Sequence, residues 1–289
     1  MRRRSVFGAP LLLAPACLPM AACSPANVLN ALAPSGPVAR SIPYGIGLRR
    51  SLDVYAPTAG RGPYRVVLFL YGGSWDSGDK RNYRFVGAAL AALGFVVVIP
   101  DYRLYPEVRY PDFLLDCAQA LLWTRRHAHE FGGDGRPPVV AGHSAGAYNA
   151  AMLTLDPRWL RRFGLQPRQD LGGLVGIAGP YDFLPLDTAR LRDIFAPAAP
   201  LASSQPIMHV NGPAPAVLLL AGTADRTVRP GNTIRLAAAL RAHGVPVQQR
   251  LYAGVDHYEI IGAFAAPLRF LAPTLRDMVD FMQSVAATG

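Results

Sequence analysis

The chain has 289 residues, of which 51% are hydrophobic, enough for one large folded domain or at most two small ones. Its formal net charge is +10, but the arginines are dispersed and form no stripe interleaved with aromatic residues, which argues against a nucleic-acid partner. No metal-ligand cluster, phosphate-binding loop or dinucleotide fingerprint appears, so the sequence predicts no metal and no cofactor.

The first 22 residues have the pattern of a signal peptide. Three arginines precede an apolar stretch that is too short and too rich in proline to span a membrane. The stretch ends in Met20-Ala21-Ala22-Cys23, which resembles a bacterial lipobox with methionine in place of the usual leucine. We therefore expect removal of residues 1–22, lipidation of Cys23 and a membrane anchor in the bacterial cell envelope. The alternative is an ordinary cleavage site beside an incidental cysteine, with plain secretion.

Residues 23–43, rich in Ala, Pro, Ser and Asn, predict a tether, and residues 44–289 predict the folded domain. In that domain apolar runs alternate with helical periodicity, which is typical of an α/β doubly wound, mostly parallel sheet with helices on both faces. Segment 180–213, rich in Pro and Ala, predicts a small cap. The other predicted elements are an antiparallel pair around 48–55, strands 66–70, 95–99, 138–142, 172–178, 216–220 and 247–252, and helices 82–93, 111–130, one through Met152, 231–242 and 273–286.

The pentapeptide Gly142-His143-Ser144-Ala145-Gly146 directly follows a predicted buried strand. A strand that runs into Gly-x-Ser-x-Gly is typical of a nucleophile elbow, in which small residues let the backbone turn sharply and expose the serine hydroxyl. The next residue, Ala145, would offer its backbone N–H to a developing oxyanion. A simple glycine turn has the same composition, so the assignment depends on partners elsewhere in the chain.

A serine nucleophile needs a base that titrates near neutrality and a carboxylate that orients this base. Asp225 and His257 both follow predicted strands, which gives the chain order Ser…Asp…His. The predicted triad is therefore Ser144, Asp225 and His257. Asp256 is the alternative acid, although a direct sequence neighbour rarely reaches the correct ring nitrogen. We interpret His143, beside the nucleophile, as a support.

A second motif, Tyr71-Gly72-Gly73-Ser74-Trp75, follows strand 66–70. Paired glycines after a strand let backbone N–H groups point at a ligand. We therefore predict that Gly72 and Gly73 complete an oxyanion hole with Ala145. Four aromatic residues are predicted to contact substrate, although core packing is the default for each: Tyr71, Trp75, Tyr181 and Tyr258.

Together these motifs resemble the α/β-hydrolase carboxylesterases of the hormone-sensitive-lipase and ferulate-esterase-like group, which includes kynurenine formamidases and isoprenylcysteine methylesterases. The resemblance covers roughly residues 48–285. It rests on Leu52-Asp53-Val54-Tyr55, Tyr71-Gly72-Gly73-Ser74-Trp75, Asp101-Tyr102-Arg103-Leu104, Gly142-His143-Ser144-Ala145-Gly146, Gly222-Thr223-Ala224-Asp225 and Asp256-His257.

The resemblance implies an α/β-hydrolase fold and a serine esterase that acts on a small-molecule ester. The group usually has histidine at the position of Tyr71, where it braces the oxyanion loop; Tyr71 would either brace that loop through its hydroxyl or line the acyl site. Asp101 and Arg103 would order loops around the site. Two other functions remain open: an amide hydrolase of the arylformamidase type, and a catalytically weak binding lipoprotein that retains the fold.

Overall fold

The computed structural model describes residues 25–33, 36–60 and 62–287. The predicted signal peptide, residues 1–22, and the predicted lipidation site Cys23 lie outside the described residues. Eight strands form one sheet in the described part: β1 (Ala39–Pro43), β2 (Ser51–Tyr55), β3 (Arg65–Leu70), β4 (Phe95–Pro100), β5 (Val139–His143), β6 (Gly173–Ile177), β7 (Val217–Gly222) and β8 (Val247–Tyr252).

The strand order is β1-β2-β4-β3-β5-β6-β7-β8. β1 and β2 are antiparallel to each other, and β2 is antiparallel to β4. All pairings from β4 to β8 are parallel. The interior strands are buried along nearly their whole length, so the sheet is covered on both faces, as continuous apolar runs predict.

The covering helices follow in chain order: α1 (Pro25–Ala31), α2 (Arg84–Ala91), α3 (Asp112–His127), α4 (Ala145–Leu155), α5 (Pro157–Arg161), α6 (Pro167–Asp170), α7 (Ala189–Phe195), α8 (Gly231–Ala242), α9 (Glu259–Gly262) and α10 (Thr274–Ala287). Helices α2 to α8 lie in the connections between successive parallel strands, which explains why helical segments alternate with apolar runs in the sequence. Among the described residues, no helix combines the length and the apolar character that a membrane span needs.

Folded structure begins before residue 44. β1 pairs with β2, and α1 packs beside the short helical turn Lys80–Tyr83. Asn30 in α1 donates to the Arg81 carbonyl at 2.6 Å and accepts from the Phe85 N–H at 3.1 Å. The tether predicted over 23–43 therefore contains a helix and a strand. The composition of residues 39–43 does not predict β1, because an edge strand is only partly buried and needs no apolar run.

Parallel strands bring the candidate site together at one edge of the sheet. Leu70 at the end of β3 is in register with Gly142 in β5, and Gly222 at the end of β7 is in register with Tyr252 in β8. The loops that follow these strands therefore leave the sheet on the same side. Ligands of open α/β sheets bind outside this carboxyl edge.

Candidate active site

Ser144 occupies the turn between β5 and α4, with φ 56° and ψ −124°. A non-glycine residue holds this left-handed backbone only where its surroundings impose it. Here the surroundings are backbone atoms: a Cβ on Gly142 would meet the Gly146 carbonyl, and a Cβ on Gly146 would meet the Leu70 carbonyl. The backbone thus has the strand–turn–helix geometry expected of a nucleophile elbow.

His257 and Asp225 form a buried hydrogen-bonded pair, with His257 Nδ1 and Asp225 Oδ2 2.7 Å apart. The other carboxylate oxygen, Oδ1, accepts the backbone N–H groups of Thr227 at 2.9 Å and Val228 at 2.8 Å. Because a carboxylate accepts this hydrogen bond, His257 Nδ1 carries the proton, and in the neutral ring Nε2 then has a free lone pair. This is the tautomer that a general base requires.

Asp256, the alternative acid, has a different role. Its Oδ1 accepts the N–H groups of Tyr258 and Glu259, each at 2.8 Å, at the start of α9. The Asp256 N–H in turn donates to the Glu259 carboxylate at 2.9 Å. This reciprocal pattern is a capping box, so Asp256 orders the helix that follows His257.

His257 also lies against the elbow. The His143 and His257 ring centroids are 4.8 Å apart, and His143 Nε2 lies 3.1 Å from the His257 carbonyl oxygen. Among the described residues, His257 hydrogen bonds to Asp225 and His143 and not to Ser144. Catalytic hydrogen bonds of free enzymes often form only when substrate binds.

The oxyanion loop, residues 71–78, passes directly beside the nucleophile: a Cβ on Gly72 would lie 2.8 Å from Ser144 Cβ. The Gly72 N–H, however, donates to the Tyr83 hydroxyl at 3.1 Å. The prediction that Gly72 supplies an oxyanion donor is therefore wrong for this structure. The Gly73 N–H has no acceptor among the described residues, and Ala145 opens α4, where the first N–H groups lack intrahelical acceptors.

Tyr71 is fully buried and does not line the cavity beside Ser144. Its hydroxyl accepts a hydrogen bond from Arg49 Nη2 at 2.8 Å, and its ring stacks on Tyr102 with centroids 4.5 Å apart. The same Arg49 Nη2 donates to the Gly78 carbonyl at 2.7 Å, so Arg49 ties together both ends of the oxyanion loop. The predicted contact of Tyr71 with substrate is wrong; the structure supports the bracing role instead.

The other three aromatic residues that were predicted to contact substrate lie in three different environments. Trp75 lines the cavity, where its Nε1 donates to Asn149 Oδ1 at 3.0 Å. Tyr181 is fully buried and packs against Gly176 and Gly179, so its predicted contact with substrate is wrong. Tyr258 is 71% exposed and packs edge-on against the His257 ring, with centroids 5.5 Å apart. It lies beside the base but outside the cavity wall.

A cavity of about 750 Å³ opens beside Ser144 and Ala145, between the oxyanion loop, the loop after β7 and segment 180–213. Its apolar side chains include Trp75, Phe183, Leu184, Leu191 and Val228. Its charged side chains are Asp182, Asp187, Arg226, Arg229 and Arg235. Phe183 stacks over Trp75 with centroids 6.1 Å apart, so segment 180–213 covers part of the site. The described ranges contain no group of three or more side chains placed to hold a metal ion.

The sequence did not predict the buried ion pairs that lie behind the oxyanion loop. Lys80 Nζ lies 2.8 Å from Asp101 Oδ2 and 3.9 Å from Asp53 Oδ1. Asp116, fully buried, pairs with both Arg103 and Arg50. The interpretation of Asp101 and Arg103 as loop-ordering residues agrees with these contacts. One signal did point to Lys80: it is the only lysine in an arginine-rich chain.

The family profile BD-FAE matches residues 52–240. The chain belongs to the BD-FAE family. A probable isoprenylcysteine alpha-carbonyl methylesterase of Oryza sativa is 29% identical to it over 248 residues, 78% of this chain and 58% of the relative. Esterase LipC of Mycobacterium tuberculosis is 30% identical over 224 residues, 70% of this chain and 55% of the relative. The BD-FAE chain thus spans a little more than half the length of these curated relatives.

Solved structures resemble the BD-FAE chain over most of its length. A truncated carbohydrate esterase from gut microbiota matches with a TM-score of 0.72 and 19% identity, covering 88% of this chain and 100% of that one. Esterase 2 of Thermogutta terrifontis, with butyrate bound, matches with a TM-score of 0.69 and 22% identity, covering 86% and 94%. At these identities the likeness establishes the fold. The predicted α/β-hydrolase fold is confirmed.

Proposed function

We propose that this BD-FAE protein hydrolyses small carboxylic esters through an acyl-enzyme on Ser144. The observation that carries the proposal is the buried His257–Asp225 pair, whose free Nε2 lone pair belongs to a residue packed against the elbow of Ser144. The comparisons support it: LipC is named an esterase, and Thermogutta terrifontis esterase 2 has structures with butyrate and with propionate bound.

In the proposed reaction, Ser144 Oγ attacks the acyl carbonyl and its proton passes to His257 Nε2. Asp225 stabilises the resulting imidazolium, and the N–H groups of Gly73 and Ala145 stabilise the oxyanion. The imidazolium then donates its proton to the leaving alcohol, which departs and leaves the acyl-enzyme. A water molecule then attacks the acyl carbonyl carbon while His257 Nε2 takes one of its protons. The bond between the acyl carbon and Ser144 Oγ breaks, Oγ receives the proton from His257, and the carboxylic acid is released.

Ser144→Ala tests the nucleophile. We expect turnover of p-nitrophenyl acetate and butyrate to fall by at least about a thousandfold, because no other hydroxyl is held in the elbow. The matched control is Ser284→Ala, which removes a hydroxyl bonded to the Phe281 carbonyl in α10, far from the site. Undiminished hydrolysis by Ser144→Ala, with an unchanged melting temperature, would contradict the assignment of Ser144 as the nucleophile.

Two further measurements separate the other candidate functions. A fluorophosphonate probe should label wild-type protein and Ser144→Ala should not be labelled; absence of labelling in both would favour a binding protein. Parallel assays with aryl formamides and short-chain esters compare amide with ester hydrolysis. We expect higher kcat/KM for the esters, and a preference for formamides would place the protein with the arylformamidase type.

We also propose export to the bacterial cell envelope and lipid anchoring at Cys23. The support is the order of arginines, apolar stretch and Met20-Ala21-Ala22-Cys23 at the start of the chain. Expression of the full chain and of Cys23→Ala, followed by fractionation, tests the anchor. We expect the wild type in the membrane fraction and the variant released from it; equal membrane retention of both would contradict lipidation.

A further inference from the structure

Two residues outside the triad, Tyr83 and His143, connect the loops on which catalysis depends. The Gly72 N–H donates to the Tyr83 hydroxyl oxygen at 3.1 Å. That hydroxyl lies 2.9 Å from His143 Nδ1. His143 Nε2 in turn lies 3.1 Å from the carbonyl oxygen of His257. The oxyanion loop, the elbow and the loop of the base are thus joined by three consecutive hydrogen bonds, which we call the Tyr83–His143 chain.

Each proton in the Tyr83–His143 chain has one possible position. A carbonyl oxygen only accepts, so His143 Nε2 must carry the proton that it donates to His257. A neutral imidazole then has its lone pair on Nδ1, which accepts from the Tyr83 hydroxyl. Tyr83 keeps its own oxygen lone pairs for the Gly72 N–H. The carbonyl of His257 therefore fixes the tautomer of His143, and His143 fixes the orientation of the Tyr83 hydroxyl.

The Tyr83–His143 chain carries no charge. Burial, and next the repulsion that protonated His257 would exert, lower the pKa of His143 to about 3. Burial raises the pKa of the Tyr83 hydroxyl, so it keeps its proton. The rings of His143 and His257 are 4.8 Å apart, and in the proposed reaction His257 becomes an imidazolium. A second cation at this distance would oppose that charge, whereas neutral His143 does not.

Neither Tyr83 nor His143 lines the cavity beside Ser144, so direct contact with substrate does not account for them. A buried polar chain is favourable only when each of its groups is paired. All of the polar side-chain atoms of this chain are paired, and the partners at its two ends are the backbone of the oxyanion loop and the backbone of the catalytic base.

We propose that Tyr83 and His143 are positioning residues, which hold the oxyanion loop and His257 in the arrangement that Ser144 requires. The proposal rests on the esterase function proposed above. Tyr83 acts through Gly72, whose fixed peptide sets the direction of the following Gly73 N–H. His143 acts through the backbone of His257.

The kinetic effect of Tyr83→Phe tests the Tyr83–His143 chain. It removes the acceptor of Gly72 and the donor to His143 while it keeps the ring. We expect kcat for p-nitrophenyl butyrate to fall about tenfold with KM within about twofold, because the loss affects alignment and not the cavity. The matched control is Tyr252→Phe, which loses a hydroxyl bonded to Asp277 Oδ2 at 2.8 Å outside the site. A kcat of Tyr83→Phe within twofold of this control would overturn the positioning role of Tyr83.

His143 is tested by a pair of substitutions. In His143→Gln the amide N–H can still donate to the His257 carbonyl, whereas His143→Leu has no donor. We expect His143→Gln to retain several times the kcat of His143→Leu, with the melting temperature of both variants measured alongside. Equal kcat values in the two variants, or kcat losses that simply follow the melting temperatures, would show a packing role and overturn the proposal.

The tautomer of His143 can be determined by NMR, independently of any activity assay. In ¹⁵N-histidine-labelled protein we expect His143 to show a neutral ring protonated on Nε2 from pH 5 to 9, and the Nδ1 resonance to shift in Tyr83→Phe. If His143 titrates in this range, or carries its proton on Nδ1, the hydrogen bonds assigned to the Tyr83–His143 chain are wrong. An inactive wild type with the expected tautomer would instead overturn the esterase function, and with it the positioning role.

Discussion

The two sides of the cavity are held in place by different kinds of charge pair. Behind the oxyanion loop, Lys80 and Asp101 are 2.8 Å apart, and only 7% of each side chain is exposed. On the opposite side, segment 180–213 is held by ion pairs that reach solvent. In one of these, between Arg235 and Asp182, the side chains are 51% and 33% exposed.

This difference separates a rigid side from an adjustable one. A buried charge that loses its partner is left without compensation, so the Lys80–Asp101 pair resists any displacement of the oxyanion loop. An exposed ion pair exchanges with water at little cost, so Asp182 and Arg235 can part without unfolding the segment. The rigid side carries the proposed oxyanion donor Gly73, and the adjustable side contributes Phe183, Leu184 and Leu191 to the wall of the cavity.

The largest expected effect comes from breaking the buried pair. Lys80→Met should lower the free energy of unfolding by about 3–5 kcal/mol, because buried Asp101 loses its counter-ion and keeps the backbone N–H of residue 80 as a partner. Urea denaturation followed by circular dichroism measures it. A loss below about 1 kcal/mol would mean that the two sides of the cavity are held equally loosely.

A pH-dependent effect of intermediate size is expected from His143. The folded protein holds its pKa at about 3, whereas an unfolded histidine titrates near 6.5. Between these values the unfolded chain binds more protons, so stability is full above about pH 6.5 and falls by about 1.4 kcal/mol per unit below it. By pH 4.5 the wild type should have lost about 2–3 kcal/mol more than His143→Gln. Urea titrations of both proteins at pH 7.5 and 4.5 measure the difference, and an identical pH response would contradict it.

A smaller effect is expected at Tyr71. Tyr71→Phe removes the hydroxyl that accepts from Arg49 and, at 3.4 Å, from the Tyr102 N–H, whereas Arg49 keeps its bond to the Gly78 carbonyl. Loss of one charge-assisted hydrogen bond should cost about 1–3 kcal/mol in the free energy of unfolding. Denaturant midpoints of the wild type and Tyr71→Phe provide the measurement. A cost below about 0.5 kcal/mol would show that Arg49 braces the loop without Tyr71.

The smallest effect belongs to the adjustable side. Arg235→Met repeats the replacement made at Lys80 but breaks an exposed pair, so the free energy of unfolding should change by less than about 1 kcal/mol. Activity is the more sensitive measure, since Arg235 lines the cavity. We expect its KM values across a panel of esters to change while kcat stays within about twofold. A stability loss as large as that of Lys80→Met would abolish the distinction between the sides.

Features encoded by neighbouring residues could be predicted from the sequence. The buried strands appear as apolar runs, and the elbow appears as glycines on either side of Ser144. The edge strand β1 escaped prediction because partial burial leaves no apolar pattern. Asp225 and His257 were predicted to lie together because residues that follow parallel strands meet at one edge of the sheet, and their hydrogen bond agrees with that placement.

Features that depend on a distant partner could not be predicted. Nothing around Gly72 indicates that its N–H is taken by Tyr83, and nothing around Tyr71 indicates Arg49 as its partner. Tyr181 is a partial exception. Gly176 and Gly179 leave space for its ring, so small residues close before an aromatic residue were a signal of core packing.

The bond between Arg49 and the oxyanion loop also defines how short the protein can be made. Arg49 precedes the segment that matches the family profile, residues 52–240, and His257 follows it. A fragment trimmed to that segment would lose the proposed base at one end and the clamp on Tyr71 and Gly78 at the other. Domain dissection, fusion or circular permutation should therefore keep at least residues 49–257 intact, and α1 as well if its contacts with Arg81 and Phe85 are to remain.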